Sequence, residues 1–287
     1  MMENILEIKN LTKEYKGFKI NNISFDIKRG YIMGFIGENG AGKTTTIKLI
    51  MNLLKKDSGE IKIFGKDNVK MEKEVKERIG FVYDDCFYYE NLSIENNSKI
   101  ISNFYSKWDW NTFNSYLKKF NLDEKQKVKE LSKGMKMKFA IAIALSHKAE
   151  FIILDEPTSG LDPVMRRQIL DILQQIMQDE NKGILISSHI TSDLDKVADY
   201  ITYIRNGNLI FSMSTLKLKE EYKIIKGSKD LLNYINKEII YGFRETGYGF
   251  EGIVSDIYKV NDILDELVIE VPTIEEIMLA LNKGVGK

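Results

Sequence analysis

The sequence predicts an α/β fold, and two observations carry the prediction. The run from Tyr31 to Gly37 is short and almost wholly apolar, ends in a Gly-rich turn, and precedes a stretch with helical periodicity. A strand, a loop and a helix in this order begin a parallel sheet with crossover helices. Strand-like runs then return at Glu150 to Leu154, Gly183 to Ser187 and Tyr200 to Ile204, as expected for the remaining strands of such a sheet.

Two other patterns complete the first domain. Leu6 to Asn10 and Phe18 to Ile27 alternate apolar and polar residues, which predicts half-buried antiparallel strands. Pro163 to Met177 and Ile190 to Ala198 have helical patterns between the later strands, and the α/β core is expected to close near Phe211. We therefore predict a first domain over residues 1–212, with an antiparallel β subdomain at its start.

A helical subdomain is predicted inside this first domain, over about residues 93–148. The segment has helical periodicity and no convincing strand, with Ser93, Asp109 and Ser132 as candidate N-caps. Residues 213–287 form a small C-terminal appendage of short helices and strands. The appendage ends in a predicted helix from Thr273 to Leu281, which Thr273 caps with Glu275 and Glu276 in the first turn.

Charge and composition limit the partners and the compartment that can be expected. The 42 Lys and Arg residues equal the 42 Asp and Glu residues, so no net field favours nucleic acid, and we expect no nucleic-acid partner. The densest cationic stretch, from Lys125 to Lys138, is interpreted as a solvated helix face. The single cysteine, Cys86, excludes an internal disulfide and fits a reducing cytosol. With no secretion signal and no apolar run of about 20 residues, the chain is expected to stay inside the cell.

The turn after Tyr31 to Gly37 has the spacing of a phosphate-binding loop, Gly-x-x-x-x-Gly-Lys-Thr. Its glycines let backbone N–H groups turn toward phosphates, and the following helix N-terminus adds positive potential. Lys43 is expected to reach the β- and γ-phosphates, and the Thr44 hydroxyl to bind Mg²⁺. The predicted nucleotide-binding residues of this loop are Gly37, Asn39, Gly40, Ala41, Gly42, Lys43, Thr44 and Thr45.

A pair of acidic residues, Asp155 and Glu156, directly follows the apolar run Phe151 to Leu154. The carboxyl end of a strand is where open α/β sheets bind ligands. Asp155 is placed to hold Mg²⁺, directly or through water, and Glu156 to orient and deprotonate an attacking water.

The stretch Leu131-Ser132-Lys133-Gly134-Met135 lies ahead of these acids and before an apolar helix. It resembles the signature sequence of ATP-binding cassette (ABC) proteins, with Lys133 and Met135 in place of the commoner Gly and Gln. The resemblance, which spans roughly Leu6 to Phe211, implies that Ser132, Gly134 and Met135 contact the γ-phosphate held by an opposite subunit. The active site would then be shared across a dimer.

The resemblance assigns further residues. Tyr15 is similar to the aromatic residue on which adenine stacks, and His189 to the switch histidine that contacts the γ-phosphate. The loop Ser159, Gly160, Leu161 and Asp162 resembles the segment through which two subunits sense each other's nucleotide. His147 has no such match and is interpreted as structural.

Asp84 departs from the family pattern, because most relatives have Gln at this position. That Gln touches Mg²⁺ and the attacking water, so Asp84 is a candidate catalytic residue and a candidate Mg²⁺ ligand. A carboxylate there predicts ATP affinity that depends on Mg²⁺ more steeply than in Asp84→Asn. For the following residues, Phe87, Tyr88 and Tyr89, two interpretations stay open: they line a groove for a permease helix, or they form a buried aromatic cluster.

The resemblance as a whole implies the ATPase subunit of an ABC transporter, with ATP and Mg²⁺ as cofactors. It would work as a homodimer, or a heterodimer with a related ATPase, on the inner face of the cell membrane beneath an integral membrane permease. The signature resembles that of the ATPases of bacterial exporters, and the expectation of export rests on this analogy. Soluble cassette proteins of ribosomes or chromosomes and small-molecule P-loop kinases are the rival classes.

Overall fold

The computed structural model describes residues 3–84 and 87–285, without the side chains of residues 261 and 262. Cys86 lies outside the described residues. Two compact units can be separated, one comprising the described residues up to Ile190 together with Val197–Ser212, the other Thr191–Lys196 and the described residues from Met213 onward. The predicted first domain also ends at residue 212, but it includes residues 191–196, which the structure groups with the second unit.

The first unit alternates strands and helices. In chain order its elements are β1 (Asn4–Tyr15), β2 (Phe18–Lys28), β3 (Ile32–Ile36), α1 (Lys43–Ile50), β4 (Ser58–Ile63), β5 (Lys66–Asp67), α2 (Glu72–Lys76), β6 (Ile79–Val82), α3 (Ile94–Ser102), α4 (Trp110–Phe120), α5 (Lys133–Ser146), β7 (Phe151–Asp155), α6 (Pro163–Ile176), β8 (Gly183–Ser188), β9 (Tyr200–Arg205) and β10 (Asn208–Ser214), whose last two residues belong to the second unit. Between β8 and β9 the chain forms α7 (Thr191–Val197), which belongs to the second unit except for Val197.

The central sheet has six strands in the order β10-β9-β3-β8-β7-β6, and β9, β3, β8, β7 and β6 are parallel to one another. The predicted parallel sheet is thus confirmed. Every residue of β3, β7 and β8 is buried, which explains their continuous apolar runs. The carboxyl ends of β3 and β7 therefore open on the same edge of the sheet, and each is followed by a predicted site segment.

A second, antiparallel sheet has the order β2-β1-β4-β5. Its strands alternate buried and exposed residues, as the sequence predicts for β2. One hydrophobic core joins the two sheets and α1, with Phe25 of β2, Ile47 of α1 and Leu185 of β8 all buried in it. This shared core fixes the β1–β2 hairpin beside the phosphate-binding loop.

The segment between β6 and β7 is helical, as predicted. All three predicted N-caps are confirmed: Ser93 begins α3, Asp109 begins α4 and Ser132 begins α5, and each side chain accepts a backbone N–H of the first turn. The prediction of one helix face over Lys125 to Lys138 is wrong. The backbone turns there instead, since Val128 N and Lys129 N donate to carbonyls of residues 92 and 90, and α5 starts only at Lys133.

The second unit is an α+β fold. After residue 214 its elements include α8 (Thr215–Glu221), β11 (Lys223–Gly227), β12 (Ile240–Glu245), β13 (Phe250–Val254), β14 (Val268–Glu270) and α9 (Ile274–Lys283). Its four-stranded antiparallel sheet has the order β12-β13-β11-β14. The helix predicted from Thr273 to Leu281 is confirmed as α9, and Thr273 and Glu276 cap it reciprocally.

None of the helices in the described part of the chain has the length and apolar character needed to span a bilayer.

Candidate nucleotide-binding site

The phosphate-binding loop connects β3 to α1, which begins at Lys43. Gly40 and Gly42 have φ values of 80° and 111°, a backbone region that L side chains rarely adopt. A Cβ on Gly42 would also lie 2.4 Å from the Ile20 side chain and 3.0 Å from Phe18. Glycine is therefore required at this position both by backbone geometry and by space, and the loop keeps the tight turn that phosphate binding needs.

Lys43 is the first residue of α1 and is only 6% exposed. Its Nζ donates to the Gly37 carbonyl at 2.7 Å and lies 3.2 Å from Glu156 Oε1. The loop and the end of β7 thus meet at this one ammonium group. Because a buried cation needs a partner, this ion pair offsets the cost of burying Lys43.

The end of β7 presents the two predicted acids in different settings. Asp155 is buried, and its Oδ1 accepts a 2.5 Å hydrogen bond from the Ser187 hydroxyl of the neighbouring strand β8. Glu156 has a φ of 51°, unusual for a residue with a side chain, and its N–H donates to Ser187 as well. Ser187 therefore orients both acids, a role that sequence reasoning missed because β8 reads only as an apolar strand.

His189, one residue beyond β8, completes this cluster. Its Nδ1–H and its backbone N–H donate to Glu156 Oε2 at 2.7 Å and 3.2 Å. The Glu156 carboxylate, 14% exposed, thus bridges Lys43 on one oxygen and His189 on the other. The structure brings these three predicted site residues together from three separate segments.

A cavity of about 480 Å³ opens at this cluster. Phe18 is part of its wall and was not predicted. Phe18 is paired with Tyr15 across the tight β1–β2 hairpin, and Lys13 Nζ lies 5.3 Å from the Tyr15 ring centre. The two residues that separate Tyr15 from Phe18 indicate a tight hairpin, and this was the sequence signal that could have identified Phe18. The lining residues are Phe18, Glu38, Asn39, Gly40, Gly42, Lys43, Thr44, Thr45 and Glu156.

The signature residues lie elsewhere. Ser132 is the exposed N-cap of α5 and accepts from Met135 N at 3.2 Å. Gly134 is buried, and a Cβ there would meet the Met165 side chain of α6. Among the described residues that line the cavity, none belongs to 131–135. Asp162 of the predicted communication loop caps α6 by accepting from Val164 N and Met165 N.

Asp84 has a partner that the sequence did not predict. Its Oδ1 lies 2.7 Å from Lys133 Nζ, at the start of α5. In the residue before it, Tyr83, burial and then the Asp155 carboxylate raise the pKa of the phenol. Tyr88 packs on buried Phe139, as the interpretation of a buried aromatic cluster predicts, whereas Phe87 and Tyr89 are exposed, and for these two the groove interpretation stays a prediction.

His147 lies in the interior and away from this cluster. Its ring stacks on Tyr105 with centroids 3.8 Å apart, and Nε2–H donates to the Ile79 carbonyl at 3.1 Å. Burial lowers the pKa of His147 from 6.5 to about 4. The contacts agree with a structural role for this residue.

The residues present fit a triphosphate with a divalent cation. The cavity combines a glycine loop, a helix N-terminus, a buried lysine and hydroxyl side chains, while Ser187 fixes the buried Asp155. In the described part of the chain, no group of three or more His, Cys, Asp or Glu residues could hold a metal by itself. A cation here would therefore need oxygen ligands from the phosphates, as is usual for Mg²⁺.

Comparisons with known proteins agree with this geometry. The family model described as "ABC transporter" matches residues 20–159, which include the phosphate-binding loop, the signature and both acids. The bacitracin transport ATP-binding protein BcrA of Bacillus licheniformis is 37% identical over 73% of this chain and 69% of its own length. The lantibiotic transport ATP-binding protein SrtF of Streptococcus pyogenes is 34% identical over 83% of this chain and 98% of its own length.

Solved structures give the same result. An ATP-binding subunit of an ABC transporter superimposes with a TM-score of 0.68 at 26% identity, over 75% of this chain and 92% of that one. CbiO1 of Clostridium perfringens, part of an ABC transporter complex, gives 0.65 at 26% identity over 74% and 89%. The chain belongs to the ABC transporter family, as an ATP-binding and ATP-hydrolysing subunit.

Proposed function

We propose that this subunit closes as a dimer on two ATP molecules, hydrolyses them with Glu156 as general base, and so drives export through a separate membrane permease. The observation that carries the proposal is the Glu156 carboxylate, which lies between Lys43 at 3.2 Å and His189 at 2.7 Å. A carboxylate held at the mouth of a phosphate-binding loop can orient a water and accept its proton.

The remaining roles follow from position. Lys43 neutralises the β- and γ-phosphates, and the backbone N–H groups of Gly40, Gly42 and Thr45 bind their oxygens. His189 holds Glu156 in place and contacts the γ-phosphate. Thr44 and Asp155 hold Mg²⁺, which neutralises the charge that develops on the phosphates. Adenine stacks on the β1–β2 hairpin, at Tyr15 with Phe18 beside it.

The dimer is proposed because the exposed Ser132 and the N-terminus of α5 contribute nothing to the cavity of their own chain. A helix N-terminus with an exposed hydroxyl is suited to bind phosphate. In a head-to-tail dimer these groups, with Gly134 and Met135, would meet the γ-phosphate of the partner. Ser159 to Asp162 would then lie where each subunit senses the other's nucleotide.

The permease is proposed to dock beside the loop after β6. Phe87 and Tyr89 are 83% and 64% exposed there, next to a helical subdomain. Exposed aromatic side chains of this kind typify protein interfaces. Since BcrA and SrtF are named for bacitracin and lantibiotic transport, we propose a peptide-like exported compound. The subunit would then lie on the cytoplasmic face of the membrane.

A mixing experiment tests the shared site. Ser132→Arg places a bulky cation where the partner's γ-phosphate would bind, so the variant alone is expected to bind ATP and not hydrolyse it. Lys43→Ala chains alone are expected to be inactive. A heterodimer of the two variants contains one site with an intact loop and an intact signature, so partial recovery of ATPase is expected. Heterodimers that form, as cross-linking would reveal, and remain inactive would contradict the proposed sharing.

The transport assignment is tested by affinity purification of the tagged chain from detergent-solubilised membranes of its source cells. A polytopic membrane protein is expected to copurify and to stimulate the ATPase. Phe87→Ser combined with Tyr89→Ser should weaken that copurification without changing ATP affinity. Recovery of ribosomes or chromosomal DNA in its place would support the rival soluble cassette class.

A further inference from the structure

One side of α5 contacts the loop that follows β6. Lys133, Lys136 and Phe139 are spaced three residues apart, so they lie on the same side of the helix. Lys133 Nζ lies 2.7 Å from Asp84, Lys136 Nζ lies 3.5 Å from Glu90, and Phe139 packs on Tyr88 with ring centres 4.7 Å apart. The first two turns of the helix thus contact this one loop at three positions.

The contact between Lys133 and Asp84 lies close to several segments that are proposed to act on the nucleotide. Asp84 follows β6 by two residues, and the last residue of β6, Val82, pairs with Leu154, the residue before Asp155. Lys133 directly follows Ser132 in the chain, and its Nζ lies 3.4 Å from the position a Cβ on Gly160 would occupy. One lysine side chain therefore lies close to the loop after β6, the signature and the predicted communication loop.

The charge of Lys133 is unfavourable where it stands. A helix N-terminus carries partial positive charge, so a lysine at the first helical position is repelled there. The first turn of α5 contains no acidic residue to compensate. Asp84, from a separate segment, supplies the negative charge that this helix start lacks. Because both side chains are about two-fifths exposed, the pair adds little to stability, and its effect is one of position.

We propose that Lys133 and Asp84 are positioning residues for ATP hydrolysis: their ion pair fixes the N-terminus of α5, and with it Ser132, relative to the loop after β6. The inference rests on the proposed function, in which Ser132 acts on the partner's γ-phosphate. The pair makes the signature and the Asp84 loop move as one body. Lys136 and Glu90 repeat the contact one turn further along the helix.

The test is a double-mutant cycle on the purified, full-length protein. Asp84→Asn and Lys133→Met are each expected to lower the ATPase kcat about 10-fold, less than the ~100-fold that a misplacement of about 1 Å can cost. Calorimetric ATP affinity of the separate chains at saturating Mg²⁺ should not change, since neither residue lines the cavity. The double variant should be no slower than either single variant, because each change removes the same contact.

The exchange Asp84→Lys with Lys133→Asp restores an ion pair with its charges reversed and should recover activity to within about threefold of wild type by the same cycle logic. Lys133→Arg should also retain activity. The matched control is Lys99→Met, whose partner Glu95 lies in the same helix at 2.6 Å with similar exposure, and which should leave kcat unchanged.

Multiplicative losses in the double variant, or an exchanged pair no faster than the single variants, would overturn the positioning role. A slow Asp84→Asn beside a normal Lys133→Met would overturn it too, and would assign Asp84 to the metal instead. These results differ from failure of the proposed function, in which wild-type protein itself would show no ATPase that depends on Glu156.

Discussion

Lys43 and Glu156 form an ion pair at 3.2 Å in which neither side chain is more than 14% exposed. The group proposed to bind phosphate and the group proposed to activate water therefore neutralise each other. Phosphate oxygens that attract Lys43 would compete with the carboxylate for it. Removal of either partner leaves a nearly buried charge without its ion-pair partner, which destabilises a fold, so binding and folding must be measured together in variants of this pair.

Glu156→Gln is expected to retain ATP binding and to slow hydrolysis at least ~100-fold, since a positioned general base contributes about that much. The amide can still accept from His189, but it cannot take a proton. With ATP and Mg²⁺ the variant should accumulate as a dimer in size-exclusion chromatography. Glu180→Gln, in the exposed turn before β8, is the control and should behave as wild type. A monomeric variant with normal turnover would refute both the base and the shared site.

Lys43→Ala is expected to lose nucleotide affinity itself, because the ammonium group provides the main positive charge of the cavity. Isothermal titration with ATP should show at least a 10-fold weaker affinity, which corresponds to one charged hydrogen bond of about 1.5–3 kcal/mol. Lys48→Ala on the same helix is half-buried and does not line the cavity, so it should bind normally. Unchanged affinity in a folded Lys43→Ala protein would refute the phosphate role.

His147 predicts a pH dependence of stability. Its folded pKa, about 4, lies below the 6.5 of the exposed ring, so the unfolded chain takes up the proton first as pH falls. The stability is complete above pH 6.5 and decreases toward pH 4. Between pH 7 and pH 5 the free energy of unfolding should fall by about 2 kcal/mol from this group. Urea denaturation of wild type and His147→Gln measures the difference, and equal slopes against pH would contradict the assignment.

Local signals in the sequence were sufficient for much of the fold and the centre of the site. The glycine spacing of residues 37–44 and the apolar strand before Asp155 are patterns of neighbouring residues, and the N-caps Ser93, Asp109 and Ser132 each act on the turn that follows them. A pattern within a few residues can be read without knowledge of the tertiary structure.

What the sequence could not predict depends on residues far apart in the chain. Ser187 orients Asp155 from 32 residues away, and Asp84 pairs with Lys133 across 49 residues. Neither contact produces a periodic pattern in the sequence. The same cause explains the wrong prediction for Lys125 to Lys138, where backbone bonds to residues 90 and 92 interrupt a run whose composition alone suits a helix.

For Asp84 the sequence and the structure lead to different expectations about Mg²⁺. Its place in the sequence predicts a Mg²⁺ contact, which would make ATP affinity depend on Mg²⁺ more steeply in wild type than in Asp84→Asn. In the structure its Oδ1 lies 2.7 Å from Lys133 Nζ, and this ion pair neutralises much of the negative charge that would attract a metal.

We therefore expect the Mg²⁺ titrations of ATP affinity to superimpose for wild type and Asp84→Asn. Asp155→Asn, shifted to higher Mg²⁺, is the positive control. In a Lys133→Met background the freed carboxylate is expected to steepen the curve relative to Asp84→Asn. A steeper curve already in wild type would mean that Asp84 leaves Lys133 for the metal when ATP binds.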